Sequence, residues 1–150
     1  MTSFSSCGLT EEEIEKLRIS HKEISKDPKA MQKLFYEYFK QYPHNQKFFP
    51  FRDVPLEGLF DDTEFKRQCA LASAYMNACI ENLEDYDVVE KILLNLGKNH
   101  RKYRIPSESF WESRDVIVEG ISELVDEETH KIHEKYWDFI FGTVLRGMGN

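Results

Sequence analysis

Histidine and cysteine are the residue types in this sequence best suited to metal binding or nucleophilic chemistry, and it contains five and three of them. His100 follows Leu96 by four residues and so continues a helical stripe that includes Val89 and Leu93. An imidazole on such a stripe points inward. A second interpretation also fits, because the segment GKNHRKYR is strongly basic and the C-terminal end of a helix favours positive charge. The local sequence leaves both interpretations open.

The other histidines lack a partner at the spacing of metal ligands. His44, His130 and His133 are predicted to be exposed helical side chains. His130 and His133 lie three residues apart and could together hold a metal at the surface. Nothing else in the sequence supports a metal site there.

The three cysteines do not form a metal-binding motif either. Cys7, Cys69 and Cys79 are not spaced as zinc ligands, and an odd number of thiols suits a reducing compartment. Cys69 and Cys79 are expected on the inward side of one helix. Cys7 lies in a Ser-rich segment, and we expect it to be the thiol that is accessible to another chain.

Long stretches without glycine or proline predict that helices position these residues. The chain of 150 residues has 7 glycines and 5 prolines, too few for the many turns of an all-β domain. Apolar residues at helical spacing predict six or seven helices in one all-α domain of residues 10–150, after a flexible tail of residues 1–9. The predicted helices run from Glu11 to Ile24 after a capping box at Thr10, from Pro28 to before Pro43, from Asp62 to Leu83, from Asp87 to Gly97, from Pro106 to Leu124 and from Asp126 to Gly147, with a short helix and an irregular loop between Pro43 and Phe60.

Charge and hydropathy exclude two classes of partner. Lys and Arg total 20 against 27 Asp and Glu, so the chain, at a formal charge of −7, lacks the basic footprint of a nucleic-acid-binding protein. The sequence has no apolar run of about 18 residues, and its first residues, MTSFSSCGLTEEE, do not have the form of a signal peptide. We therefore expect a cytoplasmic protein that binds neither nucleic acid nor membrane.

Five segments in order give the sequence a specific resemblance that covers nearly the whole chain. They are LFYEYFKQYP, FFPF, FKRQC, IENLEDYDVVEKILLNLGKNHRKYRIP and YWDFIFGTVLRGM. In this order the sequence resembles the globin family, and within it the neuroglobin-like intracellular branch of invertebrate type. The resemblance implies a globin fold of six to eight helices in a three-over-three arrangement that binds haem b.

The resemblance assigns His100 as the proximal haem ligand and Phe49 as the phenylalanine that packs on the porphyrin. Pro43 matches the proline that opens the helix before Phe49. Haem iron in globins is held by a neutral imidazole nitrogen. The carbonyl of Leu96, one helical turn before His100, is expected to accept the other ring N–H and to fix the tautomer.

The resemblance places Gln68, 32 residues before His100, at the distal position where neuroglobins typically have histidine. An amide is a poor ligand for haem iron but a good donor to dioxygen, so five-coordinate ferrous iron is implied. A solvated residue at the edge of a helix is the simpler interpretation of Gln68. The resemblance also implies Phe35 and Ala72 in the distal pocket, and Arg52, Lys102 and Arg104 toward the propionates. On the proximal side and at the haem edge it implies Leu96, Ile105 and Phe110. An ordinary hydrophobic core would use the same residue types as these last three.

The function implied is reversible binding of dioxygen, CO and NO for oxygen storage, transport or sensing, by a ligand-binding protein rather than an enzyme. The chain is expected to be a monomer or weak dimer. An NO dioxygenase or nitrite reductase served by a reductase partner is an alternative, since fold and ligand set do not separate these functions. A further alternative is a helical interaction or sensor module that kept the fold without haem.

Overall fold

The computed structural model describes residues 7–149, and in this range the chain is helical with no residue in a β-strand. The all-α prediction is confirmed. The α-helices are α1 (Glu11–Ile24), α2 (Ala30–Gln41), α3 (Thr63–Glu81), α4 (Tyr86–His100), α5 (Ser107–Ser122) and α6 (Glu127–Gly147), and short 3₁₀ helices occupy Pro43–Phe48, Leu56–Asp61 and Arg101–Tyr103. Of the helices in the described part of the chain, none combines the length and apolarity that crossing a membrane requires.

Side-chain caps fix the starts of three helices. The Thr10 hydroxyl accepts the backbone N–H of Glu13 at 3.1 Å, and the Glu13 carboxylate accepts the N–H of Thr10 at 3.0 Å. This is the predicted capping box, which satisfies two N–H groups that lack partners within the helix. Asp62 and Asp126 cap α3 and α6 by accepting the N–H three residues further on, at 2.9 and 2.8 Å. These three helices therefore begin where their local sequence predicts.

Helix α2 begins at Ala30, two residues later than predicted. The Asp27 carboxylate accepts the N–H of Lys29 at 2.9 Å, and the Asp27 backbone carbonyl accepts the N–H of Ala30 at 3.1 Å. The residues around Pro28 thus form a turn closed by Asp27 instead of the first turn of the helix.

Helix α4 and the segment before α3 also differ in detail from the prediction. Helix α4 starts at Tyr86 and continues to His100, three residues beyond the predicted end at Gly97. Asp87 lies inside its first turn and does not cap it. The segment between α2 and α3 forms two 3₁₀ helices where one short helix and an irregular loop were predicted.

The buried apolar residues form two clusters. The larger cluster combines residues of α1, α4, α5 and α6 with the C-terminal half of α3. The smaller cluster combines Phe39 of α2, Phe51 of the segment between α2 and α3, and Phe65 at the start of α3. Helices α3 and α5 contribute buried residues to both clusters, and Met31 of α2 packs against both, so these three helices connect the two halves of the domain.

The larger cluster also contains Cys7 and Leu9, which are 6% and 1% exposed. The predicted tail therefore does not extend to residue 9, and the expectation that Cys7 is accessible is wrong. Leu9 precedes the Thr10 cap, and burying it anchors the chain where it enters α1. Residues 1–6 lie outside the described residues.

Two other side chains lie opposite to their predicted side. Leu124 continues the helical spacing of Ile117 and Ile121, which predicts an inward side chain. It is 65% exposed because α5 ends at Ser122 and the chain turns, with the Leu124 N–H bonded to the Ile121 carbonyl at 2.8 Å. His133, predicted to be exposed, is 2% exposed. Its Nε2 lies 2.8 Å from the hydroxyl of Ser20 on α1, so this face of α6 packs inward.

Candidate functional site

His100 is the last residue of α4, and its ring is oriented by a backbone hydrogen bond. The distance between His100 Nδ1 and the Leu96 carbonyl oxygen is 2.7 Å. A carbonyl only accepts, so Nδ1 carries the proton and Nε2 of the neutral ring carries a lone pair. Among residues 7–149, Nε2 has no hydrogen-bond partner. The predicted bond to Leu96 is confirmed, and it leaves Nε2 as a nitrogen able to bind a metal.

Two aromatic rings flank the imidazole. The centroid of Phe110 on α5 lies 6.2 Å from that of His100 at an interplanar angle of 70°. Tyr103 lies 5.9 Å away at 66°. These edge-to-face contacts restrict rotation of the His100 ring and make its surroundings apolar.

The chain changes direction immediately after His100. The side chain of Arg101 donates from Nε to the Gly147 carbonyl at 3.0 Å, which ties the end of α4 to the end of α6. Arg104 then adopts a left-handed conformation with φ of 53°, unusual for a residue other than glycine. The backbone directly after His100 is thus held by the Arg101 bond to α6 and by the turn that ends at Arg104.

Phe49 lies on the smaller cluster, in extended backbone before Pro50. Its half-buried ring contacts Phe35 at 6.5 Å and Phe39 at 5.2 Å, both edge to face, and stacks on Phe51 at 5.1 Å. The structure therefore brings Phe49 and Phe35, which were assigned separately to the site, into contact. It provides a rigid aromatic wall of which one part stays accessible.

A buried polar network links α5, which carries Phe110 beside His100, to the segment that leads to Phe49. Asn45, fully buried, donates from Nδ2 to the Glu112 carboxylate at 2.9 Å and accepts from the Ser109 hydroxyl at 2.8 Å. The Tyr38 hydroxyl donates to the Ser109 carbonyl at 3.0 Å. Burial, together with the nearby Glu112 charge, raises the pKa of Tyr38 well above its usual value, so it remains a donor. Ser109 directly precedes Phe110, so the network fixes α5 against the segment that leads to Phe49.

The sequence did not indicate this network. Asn45 and Glu112 are 67 residues apart, and a hydrogen bond between distant elements leaves no periodic pattern. The proline at position 43 suggested only a helix start.

Gln68 and Ala72 lie one turn apart on α3, and both are half-buried. Neighbouring Phe65 and Cys69 are buried, and burial raises the pKa of the Cys69 thiol to about 12. The Gln68 amide has no hydrogen bond to any residue in the range 7–149, so its NH₂ group is available to a ligand. No hydrogen bond links Gln68 to His100 within these residues.

The side chains of the basic candidates form no hydrogen bond with His100 or Phe49 within residues 7–149, although the backbone N–H of Arg52 donates to the Phe49 carbonyl at 3.1 Å. Arg52, Lys102 and Arg104 are exposed and form no ion pair with the described part of the chain. The Lys102 ammonium lies 5.2 Å from the centroid of the Tyr103 ring. Ile105 is half-buried between Arg104 and the start of α5.

The model of the family described as Globin matches residues 32–147, about three quarters of the chain. A search of curated proteins found no match. Among solved structures, a hexa-coordinate haemoglobin of Drosophila melanogaster, studied for cyanide binding and heme cavity transitions, has 21% sequence identity and a TM-score of 0.84, covering 91% of this chain and 93% of its own.

Two further solved structures are similar over nearly their whole length. A hexacoordinated heme protein from an anhydrobiotic tardigrade has 16% identity and a TM-score of 0.85, covering 95% of this chain and 96% of its own. Haemoglobin from the botfly Gasterophilus intestinalis has 19% identity and a TM-score of 0.82, covering 95% of this chain and 100% of its own. At these identities the similarity establishes a shared fold.

Proposed function

This chain belongs to the globin family, and from that premise we propose that it holds haem b through His100 and reversibly binds dioxygen, CO and NO. The observation that carries the proposal is the 2.7 Å bond between His100 Nδ1 and the Leu96 carbonyl, which leaves Nε2 as the ligand nitrogen. Haem iron supplies the atom on which these diatomic ligands bind. We propose oxygen storage, transport or sensing in the cytoplasm as its role.

The side chains present fit an apolar disc with a polar rim. Leu96 and Phe110 lie at the edge of the larger cluster, and Phe35 and Phe49 lie at the edge of the smaller one. All four are only partly buried although they are apolar. Apolar side chains that line a binding site keep such accessible surface when no ligand covers them. We propose that the porphyrin is held by these two groups.

Leu96 and Phe110 set the tautomer and the orientation of the His100 ring for binding iron. The Leu96 carbonyl keeps the proton on Nδ1 and increases the basicity of Nε2. The Phe110 ring, 6.2 Å away, keeps the surroundings apolar and the imidazole in one orientation. Arg52, Lys102 and Arg104 carry no ion pair within residues 7–149, and we propose that they pair with the propionates.

Gln68 is the basis for proposing a five-coordinate ferrous site. Its amide is a poor ligand for iron and a good donor to dioxygen. Two of the compared proteins are described as hexacoordinate, and we propose that this chain differs from them. Half-buried Ala72, one turn further along α3, leaves room beside Gln68, and Phe35 adds an apolar wall on this distal side. Ile105, half-buried before α5, contributes to the proximal side and the haem edge.

The experiment that tests the proposal is haem reconstitution with a cavity variant. The wild type is expected to develop a Soret band. His100→Gly is expected to lose haem rapidly to an acceptor apoprotein and to regain a stable spectrum when imidazole is added. His130→Gly is the matched control, because the His130 side chain on α6 has no ion pair or hydrogen bond within residues 7–149 and lies outside the proposed site.

Two results would overturn this assignment. A wild type with no Soret band would indicate a helical module without haem. A His100→Gly protein that keeps its haem and spectrum without imidazole would show that another residue is the ligand.

A further inference from the structure

The surface carries an apolar groove that the proposed ligand site does not use. It has a volume of about 810 Å³ and lies between the ends of α1 and α5 and the starts of α2 and α6. Ile24, Leu34 and Ile121 lie within it, and none of the residues assigned to the haem site lines it. We call it the corner groove.

The corner groove contains the two most exposed large apolar side chains of the described residues. Ile19 is 60% exposed and Leu124 is 65% exposed. They come from different elements, α1 and the turn after α5, and both line the groove. Single exposed apolar residues are ordinary, whereas this depression brings two of them together from different elements.

The rim of the corner groove is acidic. Eight charged residues line it, six carboxylates and two lysines, which leaves four more negative than positive charges. Both lysines are already neutralised by carboxylates of the same rim, Lys16 by Glu128 and Lys33 by Asp27, each at 2.7 Å. Glu123, beside Leu124, has no ion pair within residues 7–149. Of the remaining rim carboxylates, Glu23 and Glu37 pair with Lys26 and Lys40 outside the groove, and Asp126 caps α6.

We propose that the corner groove binds a cationic amphipathic helix of a partner protein. The apolar stripe of that helix packs on Ile19 and Leu124, and its Lys or Arg residues lie beside the rim carboxylates. An apolar helical face in a hydrophobic groove is a common mode of peptide recognition, and the acidic rim selects the charge of the helix.

The same charges disfavour two other occupants. A second copy of this chain has a net charge of −7, and a symmetric contact would place one acidic rim against the other. An anionic membrane surface would be repelled for the same reason. A basic protein segment gains from both the apolar floor and the acidic rim.

The test measures binding of a synthetic helix to the haem-loaded protein by isothermal titration calorimetry. The probe has about five turns, with leucine on one face and lysine on the other. Two comparison peptides keep the leucine positions with glutamate in place of lysine, or keep the composition in scrambled order. Only the Leu/Lys probe is expected to bind, and added NaCl should weaken binding because salt screens the rim.

Two variants and their controls locate the site. Leu124→Ser is expected to weaken the Kd about tenfold through lost apolar burial, and Glu123→Lys about three- to tenfold through charge reversal. Val88→Ser and Glu57→Lys change exposed residues outside the groove and should leave the Kd unchanged. An unchanged Soret band shows that each variant is folded.

Several outcomes would overturn the proposal. They are no binding of the Leu/Lys probe, equal binding of the Leu/Glu or scrambled peptide, or a wild-type Kd in both groove variants. A wild-type dimer that Leu124→Ser dissociates in analytical ultracentrifugation would instead assign the groove to a second copy.

Discussion

Gly97 and Gly147 are in direct backbone contact where α4 crosses α6. A Cβ added at Gly97 would lie 3.0 Å from the Gly147 Cα and 2.0 Å from the Val144 carbonyl oxygen. A Cβ added at Gly147 would lie 2.3 Å from the Leu94 carbonyl oxygen. Because Gly97 precedes His100 by three residues, this crossing sets where the imidazole stands relative to the rest of the domain.

Gly97→Ala is expected to lower the free energy of unfolding by about 1–3 kcal/mol, because the methyl group must push the two helix backbones apart. Displacing α4 should also speed haem loss. Gly142→Ala on α6 is the matched control, since its added Cβ meets nothing within 4 Å. That change should stabilise the protein by about 0.5–1 kcal/mol through helix propensity. Urea unfolding measures the change in the free energy of unfolding for each variant. If Gly97→Ala and Gly142→Ala changed it in the same direction, the close crossing of α4 and α6 would be contradicted.

Gln68→Leu is expected to speed dioxygen release. The amide offers a hydrogen bond with a net value of about 0.5–1.5 kcal/mol, which corresponds to roughly two- to thirteenfold in affinity. Leucine cannot donate, and the Phe35 ring offers no second donor. CO is a weaker acceptor, so its affinity should change far less. Stopped-flow measurement of both off-rates checks the difference.

A spectrum of the ferrous wild type provides the independent check on Gln68. Five-coordinate high-spin iron is expected, because glutamine offers no imidazole nitrogen. A six-coordinate low-spin spectrum would mean that another side chain reaches the iron. An unchanged dioxygen off-rate in Gln68→Leu would place Gln68 outside the pocket.

His133 should make the fold sensitive to mild acid. Burial, with smaller contributions from His21 and His130, lowers its pKa from 6.5 to about 4. The folded state therefore binds fewer protons than the unfolded state between these values, and stability is full above about pH 6.5 and falls as the pH approaches about 4. At about pH 5 the free energy of unfolding is expected to be about 2 kcal/mol lower than at neutral pH from this group.

His133→Gln should remove that part of the pH dependence, because glutamine does not titrate and can still donate to the Ser20 hydroxyl. Urea unfolding at about pH 7.5 and about pH 5 gives the difference for each protein. His44→Gln, at an exposed position, should behave as wild type. If His133→Gln lost as much stability between the two pH values as wild type, another group would be responsible.

Cys7 should be slow to alkylate in the native protein. It is 6% exposed, and burial raises the pKa of its thiol by more than backbone hydrogen bonds lower it. Little thiolate therefore forms. Burial raises the pKa of Cys79 to about 12. We expect modification of Cys7 at least about tenfold slower than in denaturing urea. Mass spectrometry of iodoacetamide-treated protein measures this ratio, and equal rates would show that the N-terminal segment is not packed as described.

Interactions between residues close in sequence can be predicted from spacing, whereas those between distant elements cannot. The Thr10 capping box and the bond from His100 to Leu96 join residues within one helical turn, so spacing alone predicts them. Leu124 was misplaced because α5 ends at Ser122 and its periodicity stops there. The Asn45 network joins elements distant in sequence and could not be predicted.

His133 illustrates a signal that was present but ambiguous. It precedes Trp137, Ile140 and Val144 at helical spacing, and all four are buried. Histidine occurs both inside and outside folded domains, so its residue type did not distinguish the two. The Ser20 hydroxyl on α1 accounts for its burial, because it provides a hydrogen-bonding partner for Nε2.

The division of the core into two clusters means that a group held between them completes the interior of the domain as well as serving as its ligand site. In terms of cooperative units, α1, α4 and α6 belong to one unit, and α2 with the segment around Phe51 belongs to another. Within residues 7–149, α3, α5, Met31 of α2 and the hydrogen bonds around Asn45 join the two units. If a bound group bridges the two clusters as proposed, its loss removes contacts from both, so occupancy of the site and cooperativity of the fold are one linked equilibrium.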